Sequence, residues 1–247
     1  MRTLRDIFLA AALALGLPTL SSAETLKIVA DEWPPFSGAS LPSKGISLDV
    51  ICEVLKRAGY QVETEVVPWA RIMNGATSGQ YDVIGSLFFD PALESYLTYA
   101  DAFYETDVRL VQRSGAEHAY TSVDALRPFS IAVGDGFLYQ DEFDRADYLN
   151  KVVVTTTLQA VQMVAHARVD LTLDSVDVVN YAVHSDDPTL NGRVEFAPGV
   201  LATQGIHMAV RNDLPNRDQV IQEFNTTLAA MRADGSLAKV LKKHVGP

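Results

Sequence analysis

The chain carries few side chains that could do covalent or metal chemistry, and their spacing does not gather them. His118, His166, His184, His207 and His244 have neither short ligand spacing nor neighbouring carboxylates arranged for a metal, and Cys52 is the only cysteine. Gly134-Asp135-Gly136 is a fragment of a phosphate-cradling loop, without the lysine or further glycine such loops need. Asp186-Asp187-Pro188-Thr189-Leu190-Asn191-Gly192 reads as a plain turn, since a calcium loop would want a downstream acid and no proline. No Gly-x-Ser-x-Gly element offers a nucleophile. What is left is recognition chemistry. Arg71 falls in the first turn of a helix, an unfavourable end for a cation, so an acidic partner or ligand would rationalise it. Glu32, beside Trp33, is a second charged candidate. No metal and no cofactor is expected.

Two crossovers must position these groups. Ile72, Met73 and Ala76 form a helical apolar stripe, Ser78-Gly79-Gln80-Tyr81-Asp82 turns the chain, and Val83-Ile84 begins a strand. The same order returns in Leu158, Val161 and Ala165, then Ala167-Arg168-Val169-Asp170, then Leu171-Thr172-Leu173. Two α-to-β crossovers so far apart imply two α/β lobes built alike, with the ligand crevice between them. Strands are expected at Leu26–Ala30, Val62–Val67, Val108–Val111, Ser130–Val133, Lys151–Thr155 and His207–Val210, with Ser114-Gly115 as a crossing point between lobes. Helices are expected over Leu48–Ala58, from Pro68-Trp69 onward, and through Val220, Ile221, Phe224, Leu228 and Met231. Trp33-Pro34-Pro35-Phe36 interrupts the first strand with residues that cannot continue a ladder, which turns Trp33 outward toward a ligand.

The 247 residues give ample core for two lobes, and the net charge of −11 excludes nucleic acid and anionic membrane surfaces as partners. Arg2 and Arg5, the apolar run from Ile7 to Leu17, and Ser21-Ser22-Ala23 read as a secretory leader over residues 1–23. No later stretch approaches the roughly 20 apolar residues of a membrane helix. Cys52 shares a helical face with Val50, Val54 and Ala58 and reads as a buried, inert thiol, so no internal disulfide holds the chain. The expected location is a bacterial periplasm.

Trp33-Pro34-Pro35-Phe36, Gly45-Ile46-Ser47-Leu48-Asp49, Trp69, the turn at 78–82, the run Tyr96-Leu97-Thr98-Tyr99-Ala100-Asp101-Ala102-Phe103-Tyr104 and the tail Met231–Lys239 occur here in one order. That ordered set resembles the periplasmic solute-binding proteins of the polar amino-acid family, and it covers essentially all of residues 24–247. The resemblance implies a two-lobe type II periplasmic-binding-protein fold of class α/β, each lobe a mixed sheet flanked by helices, with two hinge crossings. Lobe one would hold residues 24–111 plus 205–247, and lobe two residues 112–204. It further implies a monomer without catalysis that closes on a small polar, amino-acid-like solute and delivers it to a membrane permease of an ABC transporter. A sensory module reporting to a receptor, and a cyclohexadienyl-dehydratase-like enzyme with Asp174 or Glu32 as general acid, are the alternatives on the same fold.

By the same resemblance the cleft would be formed by Trp33 and Phe36 as an aromatic wall, with Trp69, Ser86 and Phe88. Asp174 resembles the lobe-two acid that meets a ligand's ammonium, with Ser175 as the alternative position. Two positions depart from the family. Leu93 stands where the family places an arginine on the ligand's α-carboxylate, and Gly136 is followed by Phe137 and Leu138 instead of a threonine pair. Charge-assisted hydrogen bonds contribute about 1.5–3 kcal/mol each, so a lost bidentate arginine corresponds to on the order of a hundredfold in affinity. Aromatic walls favour planar or cationic solutes.

Overall fold

Apolar runs and alternation become strands where they were expected. In the computed structural model, which describes residues 24–244, Leu26, Ile28, Val29 and Ala30 are buried in β1 (Thr25–Ala30). The leader reading of residues 1–23 lies outside the described residues. In chain order there follow α1 (Ile46–Arg57), β2 (Gln61–Val66), α2 (Trp69–Thr77), β3 (Val83–Leu87), β4 (Leu97–Tyr99) and β5 (Tyr104–Arg113). Next come β6 (Ser130–Gly134), α3 (Asp141–Asp144), β7 (Asn150–Val154), α4 (Thr157–Ala165), β8 (Leu171–Ser175) and α5 (Val176–Tyr181). The chain closes with β9 (Val194–Phe196), β10 (Ala202–Arg211), α6 (Arg217–Ala233) and α7 (Ser236–Lys242).

One path of strands, β2-β1-β3-β10-β5-β8-β6-β7, runs through both lobes, with β4 on β10 and β9 on β5. In the first lobe β2, β1 and β3 are parallel, as β7, β6 and β8 are in the second. Each sheet is covered on both faces, as parallel strands require. In the first, Val220, Phe224, Leu228 and Met231 of α6 pack with α1 on one side, and Ile72 and Ala76 of α2 pack on the other. Cys52 of α1 is half-buried, and burial pushes its thiol up to about 11, which keeps it from the reactive thiolate form.

The lobes are joined by β5 and β10, antiparallel from Tyr104↔Ile206 to Val108↔Ala202. Beyond that segment β10 pairs with β3 and β4 through His207–Arg211, while β5 pairs with β8 from Val108 to Gln112. Ser114-Gly115 is therefore not a crossing point. Ser114 N donates to Arg193 O and Gly115 N to the Glu195 carboxylate, so this turn belongs beside β9. The crossing itself is held by polar groups. Tyr104 Oη and Thr106 Oγ1 donate to Asp177 at the start of α5, at 3.0 and 2.6 Å. Because Thr106 gives its proton to a carboxylate, the 2.7 Å contact between Thr106 and Ser175 must be donated by Ser175.

The repeated turn does the same work twice. After α2, Gly79 (φ +76°) and Gln80 donate back to Ala76 O and Gly75 O; after α4, Ala167 (φ +54°) and Arg168 donate back to Val164 O and Met163 O. The aspartate then fastens the new strand to its parallel neighbour. Asp82 Oδ2 accepts from Lys27 N at the start of β1, and Asp170 Oδ2 accepts from Ser130 N and Oγ at the start of β6. The two copies differ in that alanine occupies the left-handed position in the second, a conformation costing a non-glycine residue about 1–2 kcal/mol. After the entropic cost of a glycine in the unfolded chain, Ala167→Gly is expected to stabilise the protein by roughly 0.5–1 kcal/mol, read as a higher urea midpoint at unchanged m. A lower midpoint would refute the strain.

Candidate functional site

In sheets of this kind the crevice lies outside the carboxyl ends of the parallel strands. Asp31 follows β1, Leu87 ends β3 with Phe88 directly after it, Asp135 follows β6, and Asp174 lies at the end of β8. All of them line one cleft between the lobes, which encloses roughly 780 Å³, part of it open to solvent.

The first wall is aromatic. After Asp31 the chain doubles back, with Trp33 N donating to Ser37 O (2.8 Å) and Phe36 N to Trp33 O (2.9 Å). This tight bend turns Phe36 wholly inward and leaves Trp33 half-buried above it, ring centroids 4.8 Å apart. Phe88 meets Trp33 edge-on at 5.0 Å, and Tyr104 of the hinge backs Phe36 at 5.6 Å. Trp69, at the first position of α2, completes the wall and is 39 % exposed. A bulge aims Phe88. Three steps on β3, from Ile84 to Leu87, oppose two on β10, from Ala209 to His207, and Ser86 within it has φ +65°. Ser86 is buried and donates to Ser47 Oγ at 3.0 Å, so its hydroxyl is committed to α1.

The opposite wall is built on glycine. Phe137 folds back over the end of β6, where a Cβ on Gly134 would lie 2.4 Å from its ring, and Gly136 takes φ +72° to make the return. Gly134 N donates to Tyr139 Oη at 2.8 Å. Burial and then the charge of Asp174 push the Tyr139 phenol up, so it keeps its proton.

Asp174 is 3 % exposed. Its Oδ2 accepts from Thr157 Oγ1 and its Oδ1 from Ser175 N at 2.7 Å, yet burial outweighs both and pushes it up to about 6. Arg109 sits directly opposite in the β5–β8 register, but its guanidinium donates to Ala197 O and Gly199 O and lies over Phe196. Asp31 is likewise raised to about 6, by burial first and with the neighbouring charge of Glu32 adding to it.

Of the residues singled out from sequence, Trp33, Trp69, Ser86, Phe88, Phe137 and Asp174 line this cleft. Glu32, Phe36 and Arg71 do not. Glu32 Oε1 accepts from Ala39 N at 2.8 Å and ties down the loop after Phe36, which itself lies in the core behind Trp33. Arg71 is exposed on α2, two residues and therefore about 200° around the helix from Trp69. The sequence reading passed over Asp31, Asp90 and Tyr139, and read Asp135 only as part of a phosphate-loop fragment; all four line the cleft. For Asp31 and Asp135 the available signal was position, since each directly follows a parallel strand.

Known proteins agree with this architecture. A mutant of ArgBP from T. maritima superposes with a TM-score of 0.71 at 17 % identity, over 89 % of this chain and 94 % of that one. A histidine kinase sensor domain described as similar to periplasmic binding proteins gives 0.75 at 17 % identity, over 91 % and 97 %. An ancestral arginine-binding protein bound to arginine gives 0.71 at 20 % identity, over 90 % and 98 %. In sequence, the L-cystine-binding protein TcyA of Bacillus subtilis (strain 168) is 25 % identical over 205 residues, 82 % of this chain and 72 % of that protein. The family described as bacterial extracellular solute-binding proteins, family 3, matches residues 26–247. With that match spanning both lobes and the hinge between them, the chain belongs to the family 3 bacterial extracellular solute-binding proteins.

Proposed function

We propose that the protein is a periplasmic receptor that closes its lobes on a small polar, amino-acid-like solute and hands it to an ABC uptake permease, acting as a monomer and without catalysis. The carrying observation is a single cleft whose lining comes from both sides of the β5–β10 hinge, Trp33 and Phe88 on one and Phe137 and Asp174 on the other. A solute touching both walls favours the closed arrangement in proportion to the contacts that only closure makes. Catalysis by a dehydratase on this fold would need cations to hold a dicarboxylic substrate. Among the described residues, the cleft offers none.

A thermal-shift screen of the purified protein against amino acids, amines, opines and aromatic acids tests the binding reading. A solute at a hundred times its Kd adds about 2.7 kcal/mol, several degrees for a chain of this size. Failure of every class to stabilise the protein would contradict it. Stimulation of the ATPase of the neighbouring permease by loaded protein, in proteoliposomes, tests delivery.

A further inference from the structure

We infer that the solute is a carboxylate-free organic cation, amino-acid-like in its amine and not in its acid. The inference rests on the binding reading above and names the substrate class of the same cleft. Four carboxylates line it: Asp31 and Asp90 from one lobe, Asp135 and Asp174 from the other. No lysine, arginine or histidine stands among the described residues of that lining, and none of the four acids takes part in an ion pair among the described residues. Arg109, the cation nearest in register to Asp174, is held by backbone carbonyls.

Several of the donors a carboxylate would seek are already committed, and the Trp33 and Trp69 indole N–H groups and the Tyr139 hydroxyl, which are not, carry no charge to assist the bond. Ser86 Oγ donates to Ser47, while the N–H groups of Asp135, Phe137 and Tyr139 go to Val154 O, Gly134 O and Asp144 Oδ2. Leu93 adds only apolar surface. A cation, by contrast, meets acids on both walls and the faces and edges of Trp33, Trp69, Phe88 and Phe137 between them, the surroundings that hold ammonium and guanidinium groups in water-poor sites. The acids are spread out. Among the described residues no three carboxylate, imidazole or thiol groups gather closely enough for a metal ion, so the arrangement suits a cation with an organic body. Past Phe88, Asp90 and Tyr139 the cleft continues into a second hollow walled by Asp141 and Asp144, whose Arg145 is paired with Asp141 at 2.8 Å. The acidic track therefore extends beyond the aromatic box and leaves room for a longer amine.

With the same sign on both lobes, closure without a solute brings carboxylates together, and closure on a cation relieves that repulsion. The cation thus supplies the differential contact that drives the lobes shut.

Matched pairs that differ only by the α-carboxylate isolate the point: arginine with agmatine, lysine with cadaverine, histidine with histamine. Calorimetry and thermal shift on the intact protein at pH 7.5 are expected to show the amine binding at least tenfold tighter than its parent in the pair that fits best. A parent amino acid that binds as tightly as its amine, or more tightly, would overturn the inference while leaving the binding reading intact. Silence from every amine, with spermidine and tetramethylammonium included, would also overturn it; the wider solute screen then decides the binding reading separately.

Discussion

Asp174→Asn is expected to yield a protein that is more stable without ligand and at least tenfold weaker in binding its cation. The two effects have one source. A carboxylate 3 % exposed, raised from 3.8 to about 6 by burial, is ionised at neutral pH against the preference of its surroundings. Two pKa units correspond to roughly 3 kcal/mol, an upper bound on what removing the charge returns. Asparagine keeps the shape and both hydrogen bonds: its Oδ1 accepts from Ser175 N, and its amide donates to Thr157 Oγ1 once that hydroxyl reverses. A net gain of about 1–2 kcal/mol is expected in urea melts of the free protein. Binding moves the other way, because a hydrogen bond to a charged group contributes about 1.5–3 kcal/mol, ten to a hundredfold in Kd. Stabilisation of the free protein with undiminished affinity would show that Asp174 is a core defect and not a ligand group.

Acid should separate stability from binding in the same manner. Asp31 and Asp174 are both near 6 in the folded protein, above their value of 3.8 in a free chain. Between about pH 4 and 6 the folded state holds more protons than the unfolded, so stability from these two groups rises as pH falls through that window. Below it the balance reverses. Asp170, Asp187, Asp213, Glu223 and Asp234 are held below their ordinary values by hydrogen bonds, and their contribution is lost as pH falls through those lowered values. The cation requires the ionised carboxylates, so its affinity should fall by up to about tenfold per pH unit per engaged acid below 6. Titrations at pH 7.5, 6 and 5 are therefore expected to show affinity collapsing while the free protein melts higher at pH 5 than at 7.5. An affinity flat across that range would place the binding charge elsewhere.

The architecture was legible because it rests on periodicity. Apolar runs marked β1, β3, β6 and β8, and the spacing of Val220, Phe224, Leu228 and Met231 marked α6. The twofold turn was legible for a mechanical reason, since Asp82 and Asp170 each pin a new strand to the start of an older one. The first half of β5 was not. Tyr104-Glu105-Thr106-Asp107 alternates in burial, but its inward face is polar, with Tyr104 and Thr106 hydrogen-bonded to Asp177, so no apolar alternation betrays the strand. The short β4, β9 and α5 carry too few residues for any period to show.

Within the site, adjacency misled where topology decides. Glu32 neighbours Trp33 in sequence and turns to Ala39 N instead of the cleft, and Arg71 leaves α2 on the side away from Trp69. Asp31, Asp90 and Asp135 come together only because strand order places the ends of β1, β3 and β6 around one crevice, and strand order is not written in local pattern. The acidity of the cleft was accordingly hidden, while its missing arginine at Leu93 was visible.

Small-angle scattering of the protein at pH 7.5, free and saturated with the tightest-binding amine of the matched pairs, tests most directly whether a cation held between both walls draws the lobes together. The expected result is a smaller radius of gyration with the amine and, at an amine concentration of about ten times the native Kd, no more than roughly half that change in Asp174→Asn. A radius unchanged in the native protein when the amine is demonstrably bound would contradict closure across the β5–β10 hinge.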